Sequence, residues 1–485
     1  MRVRVLAVIL LLIVASVGSV YFYQQLNPTP SCSAPLGGAK VLRTQLSSPK
    51  TFGGVTEYAL PQPLRDPNAP TVAPDGSVWF GEESVPGLAH FYPGNGTLVE
   101  YRWPGNYTPA PSTGNICSGS SEIWGVALWN GKVWAADTAG NQLISVDPAS
   151  GRVADVKLQA NFSFPYTLTP GPDGNLWFTE LFGAKIGVLS ANGTIHQLAL
   201  PGGVDAAPVQ IVFANSTTGY YADVGEAGAN NGGVYSFNLN HFSPTLLGGQ
   251  KLSEPSSLTI ASGALWVALH GSSSVASYNF TTKSWAYYPS SYVSYIRTTL
   301  PYFVNGNGSS VWFNEHYGNK VAKIDIARDS LTEYSESSPP VENASAIGNT
   351  LTFALGSGRA WFAALTGNVI GYVNASYQPG FSTTIAGNNT IVLDRGSNAT
   401  VRLQVEGVPK GGVNLTFSDS EELTSKPSNL TFSAPPAIPG PSDAATESVK
   451  ISASQSLKPG TYTAILSVSD GLTTESSFLR IVVPQ

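Results

Sequence analysis

The sequence predicts an all-β chain: a seven-bladed β-propeller, then a β-sandwich of immunoglobulin-like form, behind one amino-terminal apolar helix. Three observations predict it. A short aromatic strand recurs seven times at intervals of 43 to 55 residues, as Val78-Trp79-Phe80, Val133-Trp134-Ala135, Leu176-Trp177-Phe178, Gly219-Tyr220-Tyr221, Leu265-Trp266-Val267, Val311-Trp312-Phe313 and Ala360-Trp361-Phe362. A period of this length, with one aromatic strand per unit, marks one blade per repeat. After about Phe381 the period stops and alternating segments replace it. Charged residues make only 12% of the 485 positions, while Gly (50) and Pro (35) abound, which suits many short strands joined by tight turns.

The first element is the stretch Val5 to Val20, apolar or small throughout and preceded by Arg2 and Arg4. It reads as a signal anchor or transmembrane helix over 1–23, with its positive end inside and Tyr21, Phe22 and Tyr23 at the outer interface. Residues 24–54 are rich in Pro, Gly and Ser and read as a linker. The expected location is the cell membrane, single-pass with the remaining domains outside, or secreted if the helix is cleaved. Thirteen Asn-x-Ser/Thr sites fit an exported glycoprotein, and Asn95, Asn192 and Asn279 fall at the same hairpin tip of their blades. Cys32 and Cys117, the two cysteines, could pair in an oxidising compartment. The net charge is −6 and no Lys/Arg run occurs, so nucleic acid is excluded as a partner.

The propeller is expected over 55–380. After Trp79 a second strand runs from Leu88 to Tyr92, a turn follows at Pro93-Gly94-Asn95-Gly96, and a third runs from Leu98 to Trp103; each aromatic strand also has one before it. The outermost strand appears six times, one short of the aromatic strands. The missing copy stands at the front, as Thr56-Glu57-Tyr58-Ala59-Leu60-Pro61. Residues 55–61 are therefore expected to complete the last blade and remove an open sheet edge. In 381–485, segments such as Val401-Arg402-Leu403-Gln404-Val405 and Ile465-Leu466-Ser467-Val468, separated by turns such as Lys458-Pro459-Gly460, suggest roughly seven short strands of a sandwich.

Pro172-Asp173-Gly174-Asn175-Leu176-Trp177-Phe178-Thr179-Glu180, followed by Lys185-Ile186-Gly187, is the best copy of a pattern that recurs as Pro74-Asp75-Gly76-Ser77-Val78-Trp79-Phe80-Gly81-Glu82. Through these residues, 55–380 resembles the streptogramin B (virginiamycin B) lyase family. The resemblance implies a seven-bladed propeller that opens a cyclic depsipeptide at its ester bond by elimination, assisted by Mg²⁺. It places Val209 and Ser256 where that family carries catalytic histidines, and Glu254 where it carries a matching glutamate.

Two sets of candidate residues follow. The residue closing each aromatic strand is acidic in five blades, as Glu82, Asp137, Glu180, Asp223 and Glu315. Such carboxylates could form a collar for Mg²⁺ or Ca²⁺, or each could accept backbone N–H bonds. Departures from the repeat form the second set. Glu226 lies in an insertion of blade four, His270 follows Leu269 where the acid is missing, and His316 adjoins Glu315. With Glu254, these suit ligand or metal binding, or proton transfer by Glu315, His316 and His270. A tyrosine cluster after blade five, Tyr287, Tyr288, Tyr292, Tyr295 and Tyr302, reads as core. The leading functional expectation is a surface propeller whose face binds a cation, a glycan or a protein. The alternatives are a metal-assisted lyase or lactone-type hydrolase, and a structural cell-envelope protein.

Overall fold

The computed structural model of the chain describes residues 39–62, 65–83, 85–103, 122–160, 163–226, 230–291, 299–337, 350–419 and 429–485. The expected helix over 1–23, Cys32 and Cys117 lie outside them. No helix among the described residues is long and apolar enough to cross a membrane.

Seven antiparallel sheets follow one another along the chain. Blade one runs from Pro67–Val72 through Val78–Glu82 and Gly87–Tyr92 to Thr97–Arg102. Blades two to six repeat that four-strand plan, beginning at Ile123–Trp129, Pro165–Pro170, Pro208–Phe213, Pro255–Ala261 and Pro301–Asn307. Blade seven supplies only Thr350–Gly356, Arg359–Ala364 and Val369–Asn374. Its fourth strand is Val55–Ala59, paired from Val55↔Val373 to Ala59↔Val369. The front of the chain thus closes the ring, as the strand count predicts.

The aromatic motif builds the interface between blades. Trp79, Trp312 and Trp361 are buried, as are Phe80, Phe178, Phe313 and Phe362. Each such Phe lies over a small residue on the third strand: Phe178 opposes Gly187 and Phe362 opposes Gly371. A Cβ at Gly187 would stand 2.0 Å from the Phe178 ring, so the Gly of the Lys-Ile-Gly strand is a packing requirement.

Hairpin tips account for much of the Asn-x-Ser/Thr pattern. Oδ1 of Asn95, Asn192 and Asn279 each accepts the N–H two residues on, at 3.0, 3.0 and 2.8 Å. Asn215, Asn374 and Asn388 do the same, as do Asp147 and Asp173 at tips without a sequon. The tip needs a short side-chain acceptor that folds back on its own backbone.

Two expectations are corrected. The linker over 24–54 contains strands: Lys40–Gln45 adds a fifth strand to the outer edge of blade one, and Lys50–Phe52 pairs with Val55–Ala59. Lys40–Gln45 has no Pro or Gly, so nothing prevents it from pairing with an open edge. Beyond Phe381, four of the nine described strands are long rather than short. Asn398–Val408, Ser442–Ala453, Gly460–Ser469 and Thr473–Val483 have 10 to 12 residues each. They belong to two sheets that share one apolar core, with Leu403, Val405, Val449 and Ile451 from one and Leu466, Val468, Leu479 and Ile481 from the other.

The second of these sheets is continuous with blade six. Thr473–Val483 pairs antiparallel with Ser330–Ser335, from Ser330↔Ser477 to Tyr334↔Thr473. Ile465 and Phe478 enter the apolar cluster of blade six. Arg480 pairs with Asp329 at 2.8 Å and lies over the Tyr288 ring at 5.3 Å. Sequence periodicity gives no sign of this joint, because strand pairing between distant segments leaves no local pattern.

Candidate functional site at the channel mouth

One hydrogen bond recurs at the same end of successive blades. The residue just past the second strand donates its N–H to the carbonyl preceding the innermost strand: Glu83 to Asp66, Thr138 to Glu122, Leu181 to Phe164, Val224 to Ala207, His270 to Glu254 and His316 to Leu300, at 2.9 to 3.3 Å. Asp66, Phe164, Glu254 and Leu300 all precede a proline and hold φ between 47° and 56°. This left-handed geometry costs non-glycine residues about 1–2 kcal/mol each. Repetition of the clamp fixes the next residue of each blade as a ring around one mouth of the channel.

Blades five and six place imidazoles there. His270 Nδ1 lies 3.1 Å from Glu254 Oε2, and its Nε2 lies 3.1 Å from His316 Nε2. Burial, then the neighbouring His270, pushes His316 well below the usual histidine range, so it is neutral. Only one proton fits between the two Nε2 atoms. His316 Nδ1 is buried with no partner among the described residues. A bare lone pair there costs less than an unpaired N–H. The tautomers follow: His316 Nε2–H donates to His270, and His270 Nδ1–H donates to Glu254. His316 is 3% exposed, whereas the His270 side chain keeps 15% and meets the solvent.

Aromatic rings fill the space beside them. Tyr302 stacks on His316 at 5.5 Å and meets His270 edge-on at 5.5 Å. Its hydroxyl bonds that of Tyr166, from blade three across the channel. Tyr166 stacks on Trp124 of blade two at 5.0 Å. Burial, most strongly, holds the Tyr302 phenol up at about 12. The far side carries carboxyls. Asn68 Nδ2 donates to Glu83 Oε1 at 2.8 Å. Burial, then the charge of Glu122, holds Glu83 well above the usual carboxyl range. Glu122 is raised too, by burial and then by Asp137.

The strand-closing acids do not form a collar. Each turns into its own blade. Asp137 accepts Gln142 Nε2 at 2.6 Å and Gly140 N at 3.0 Å. Glu180 accepts Gln197 Nε2 at 2.8 Å, and Asp223 accepts Ala207 N and Gly225 N at 3.0 and 2.9 Å. Glu82 lies 3.5 Å from Arg65, which holds Glu100 at 2.7 Å. Glu315 is fully buried; burial, then the Glu333 carboxylate, holds it well above its usual range, so it keeps its proton and serves neither as base nor as metal ligand. Among the described residues no group of three or more His, Cys, Asp or Glu could hold a metal ion. The His270–His316 pair does not fit Mg²⁺ either, since its facing nitrogens bond each other and that ion takes oxygen donors.

The remaining expectations divide. Glu254 joins His270. Glu226 is exposed on the blade-four loop, where its N–H donates to Asn231 Oδ1 at 2.8 Å, and among the described residues it makes no bond to either imidazole. Val209 is buried, and Ser256 Oγ donates to the Tyr302 carbonyl at 2.8 Å, so neither supplies a base. Tyr302 lines the mouth and also packs, with Tyr287, against the apolar cluster of blades four and five, as expected of core; Tyr292 and Tyr295 lie outside the described residues. Sequence reasoning missed Glu83, Glu122, Trp124 and Tyr166. The signal was one residue away from the strand-closing acids: the following positions read Glu83, Thr138, Leu181, Val224, His270, His316 and Leu365, and they vary where the acids repeat.

No protein-family model and no curated protein sequence matches the chain. Solved structures do resemble it. A streptogramin B lyase structure is 22% identical, covering 66% of this chain and 96% of that one at a TM-score of 0.53. Virginiamycin B lyase from Staphylococcus aureus, as a catalytically inactive histidine-to-alanine variant with quinupristin, is 20% identical, covering 66% and 98% at 0.52. Its selenomethionine form is 20% identical, covering 69% and 98% at 0.50. Likeness at this identity establishes the fold, a lyase-like β-propeller.

Proposed function

We propose that the chain is an exported surface protein whose propeller mouth holds a small organic ligand. The observation that carries this reading is the convergence of Glu83, Glu122, Trp124, Tyr166, His270 and Tyr302, from five blades, on one end of the channel. A plug that only closed the ring would be apolar. This one includes half-buried carboxyls and an imidazole, groups whose desolvation is offset when a ligand bonds them. Export through 1–23 with membrane anchoring, a Cys32–Cys117 disulfide, glycans at Asn95, Asn192 and Asn279, and an immunoglobulin-like spacer after 381 complete the reading; the sequence supports them. Native mass spectrometry of the full chain from its own cells tests it. A non-covalent adduct that disappears in Tyr302→Ala, with unchanged circular dichroism, is expected. A wild-type protein without any adduct overturns the reading.

The hydrogen-bonded chain Glu254, His270, His316 favours a second reading, proton abstraction of lyase type. Glu254 fixes the His270 tautomer, and a substrate that displaces His316 would meet a free Nε2 beside the Tyr302 ring. Incubation with quinupristin, followed by mass, tests it: ring opening abolished by His270→Ala supports a lyase, and an unchanged ester removes that substrate class.

A further inference from the structure

The joint between blade six and the carboxy-terminal unit leaves a half-open cavity of about 660 Å³. Three segments line it. The shared strand Thr473–Val483 contributes Glu475, the blade-six hairpin contributes Arg328 and Asp329, and the strand Ser382–Ile385 contributes Ser382 and Thr384. Asp329 is already engaged, by Arg480 at 2.8 Å and by Asn389 Nδ2 at 3.1 Å. Ser382 and Thr384 are not. Alternation turns both to the open side of their strand, and among the described residues their exposed hydroxyls make no hydrogen bond. Burial, most strongly, lifts Glu475 to about 7, so near neutral pH it both accepts and donates. The volume falls within the roughly 300–1,000 Å³ of ordinary ligand pockets, but this lining is hydroxyl, carboxyl and guanidinium rather than predominantly apolar. Such groups suit the hydroxyls of a sugar.

Asn388 points to where the sugar comes from. It lines the same cavity, and it opens Asn388-Asn389-Thr390, an Asn-x-Thr acceptor whose Asn and Thr are both exposed. Its Oδ1 accepts the Thr390 N–H at 3.0 Å, which fixes the amide. Its Nδ2 makes no hydrogen bond among the described residues. Asn95, Asn192 and Asn279 make the same turn bond, but at hairpin tips.

We infer that Asn388 carries an N-linked glycan whose first sugars occupy this cavity and join blade six to the carboxy-terminal unit. The inference rests on the export reading above and goes beyond it. In the modification, Asn388 Nδ2 bonds to the anomeric carbon of a sugar activated as a lipid-linked phosphate ester. The anomeric C–O bond breaks, the lipid phosphate leaves with that oxygen, and one amide proton passes to solvent. Nothing is oxidised or reduced.

The test uses the full chain from its own cells. Peptide mapping by mass spectrometry locates the glycans, and periodate, which cleaves the vicinal diols of reachable sugars, reports their exposure. The expected result is a glycan at Asn388 that periodate attacks several-fold more slowly than those at the hairpin tips, with the difference lost in guanidinium. Thr390→Ala removes the acceptor but keeps Asn388 and its turn bond. It should lower the melting temperature by about 2 °C or more. Thr390→Ser, which keeps the acceptor, should restore both glycan and melting temperature. A bare Asn388 beside glycosylated Asn95, Asn192 or Asn279 overturns the inference and leaves the export reading standing. A glycan at Asn388 oxidised as fast as those at the tips also overturns it, because the sugars then lie outside the cavity. An unchanged melting temperature in folded Thr390→Ala overturns the joining role. Bare asparagines at all four positions overturn the inference together with the glycoprotein reading beneath it.

Discussion

Blade one and blade six share a framework and differ in what they do with it. Each has a Glu closing the second strand and a Glu opposite it on the outer strand: Glu82 with Glu100, Glu315 with Glu333. Each has its outer edge covered by a further strand, Lys40–Gln45 in one and Thr473–Val483 in the other. Blade one supplies two cations to its carboxyl pair, Arg65 at 2.7 Å and Arg102 at 2.5 Å from Glu100. In blade six, Lys320 lies 3.4 Å from Glu333. Two residues past Tyr101 blade one has Trp103, while two past Tyr334 blade six has buried Glu336. The acid at the strand end is therefore scaffold in both blades. The chemistry moves to the following residue, Glu83 in one and His316 in the other.

The comparison can be broken most forcefully at the covering strand. Phe478→Ala empties a fully buried site in the blade-six cluster and should cost about 3–5 kcal/mol in denaturant unfolding. Val41→Ala, at a position 43% exposed on the strand covering blade one, should cost under about 1 kcal/mol. Equal costs would mean that the two covers do the same job.

Next is the pH response of blade six. Burial, the dominant cause, lifts Glu336 from 4.5 to about 8. A raised carboxyl means that the folded state binds more protons than the unfolded one. Its stabilising term is complete below about pH 4.5 and is lost as pH rises through 8, a change of order 3–5 kcal/mol. The melting temperature should fall from pH 5 to pH 8, and Glu336→Gln should flatten that slope. A slope that survives the substitution belongs to other carboxyls.

The carboxyl pair itself gives a sharper contrast. Lys320→Met removes a cation from Glu333 and should cost about 3 kcal/mol at pH 8, shrinking near pH 4 as Glu333 takes up a proton. Glu315→Gln replaces a carboxyl that is already neutral and should cost under about 1 kcal/mol. A large, pH-independent loss from Glu315→Gln would show that Glu315 is charged. The smallest effect is expected at the hairpin tips. Asn192→Ala loses one exposed turn bond, about 0.5–1 kcal/mol, and Asn192→Asp, which keeps the acceptor, should restore it.

Much of the fold was legible because packing between blades demands one aromatic strand per repeat. The strand count also foretold the closure by Val55–Ala59. His270 and His316 stood out as breaks in the repeat, and Glu254 through the family resemblance. The acids misled for a physical reason. Alternation along a strand tells which face a side chain takes, but the clamp at the strand end turns the chain, so Glu315 enters the blade while His316 reaches the axis. Trp124 and Tyr166 lie on innermost strands, and Glu122 just before one, with neighbours across the channel that are distant in sequence. Nothing local marks Tyr166 and Tyr302 as partners, 136 residues apart.

The shared strand Thr473–Val483 has a mechanical corollary. Pivoting the carboxy-terminal unit would break five paired positions and draw Phe478 out of blade six, so the two parts turn as one body. A load on Lys40–Gln45 and Lys50–Phe52 enters the ring through blades one and seven. A load on the last strand enters through blade six, which is their neighbour. Three consecutive blades thus take the strain, and Trp124, Tyr166 and His270 stand on blades that it bypasses.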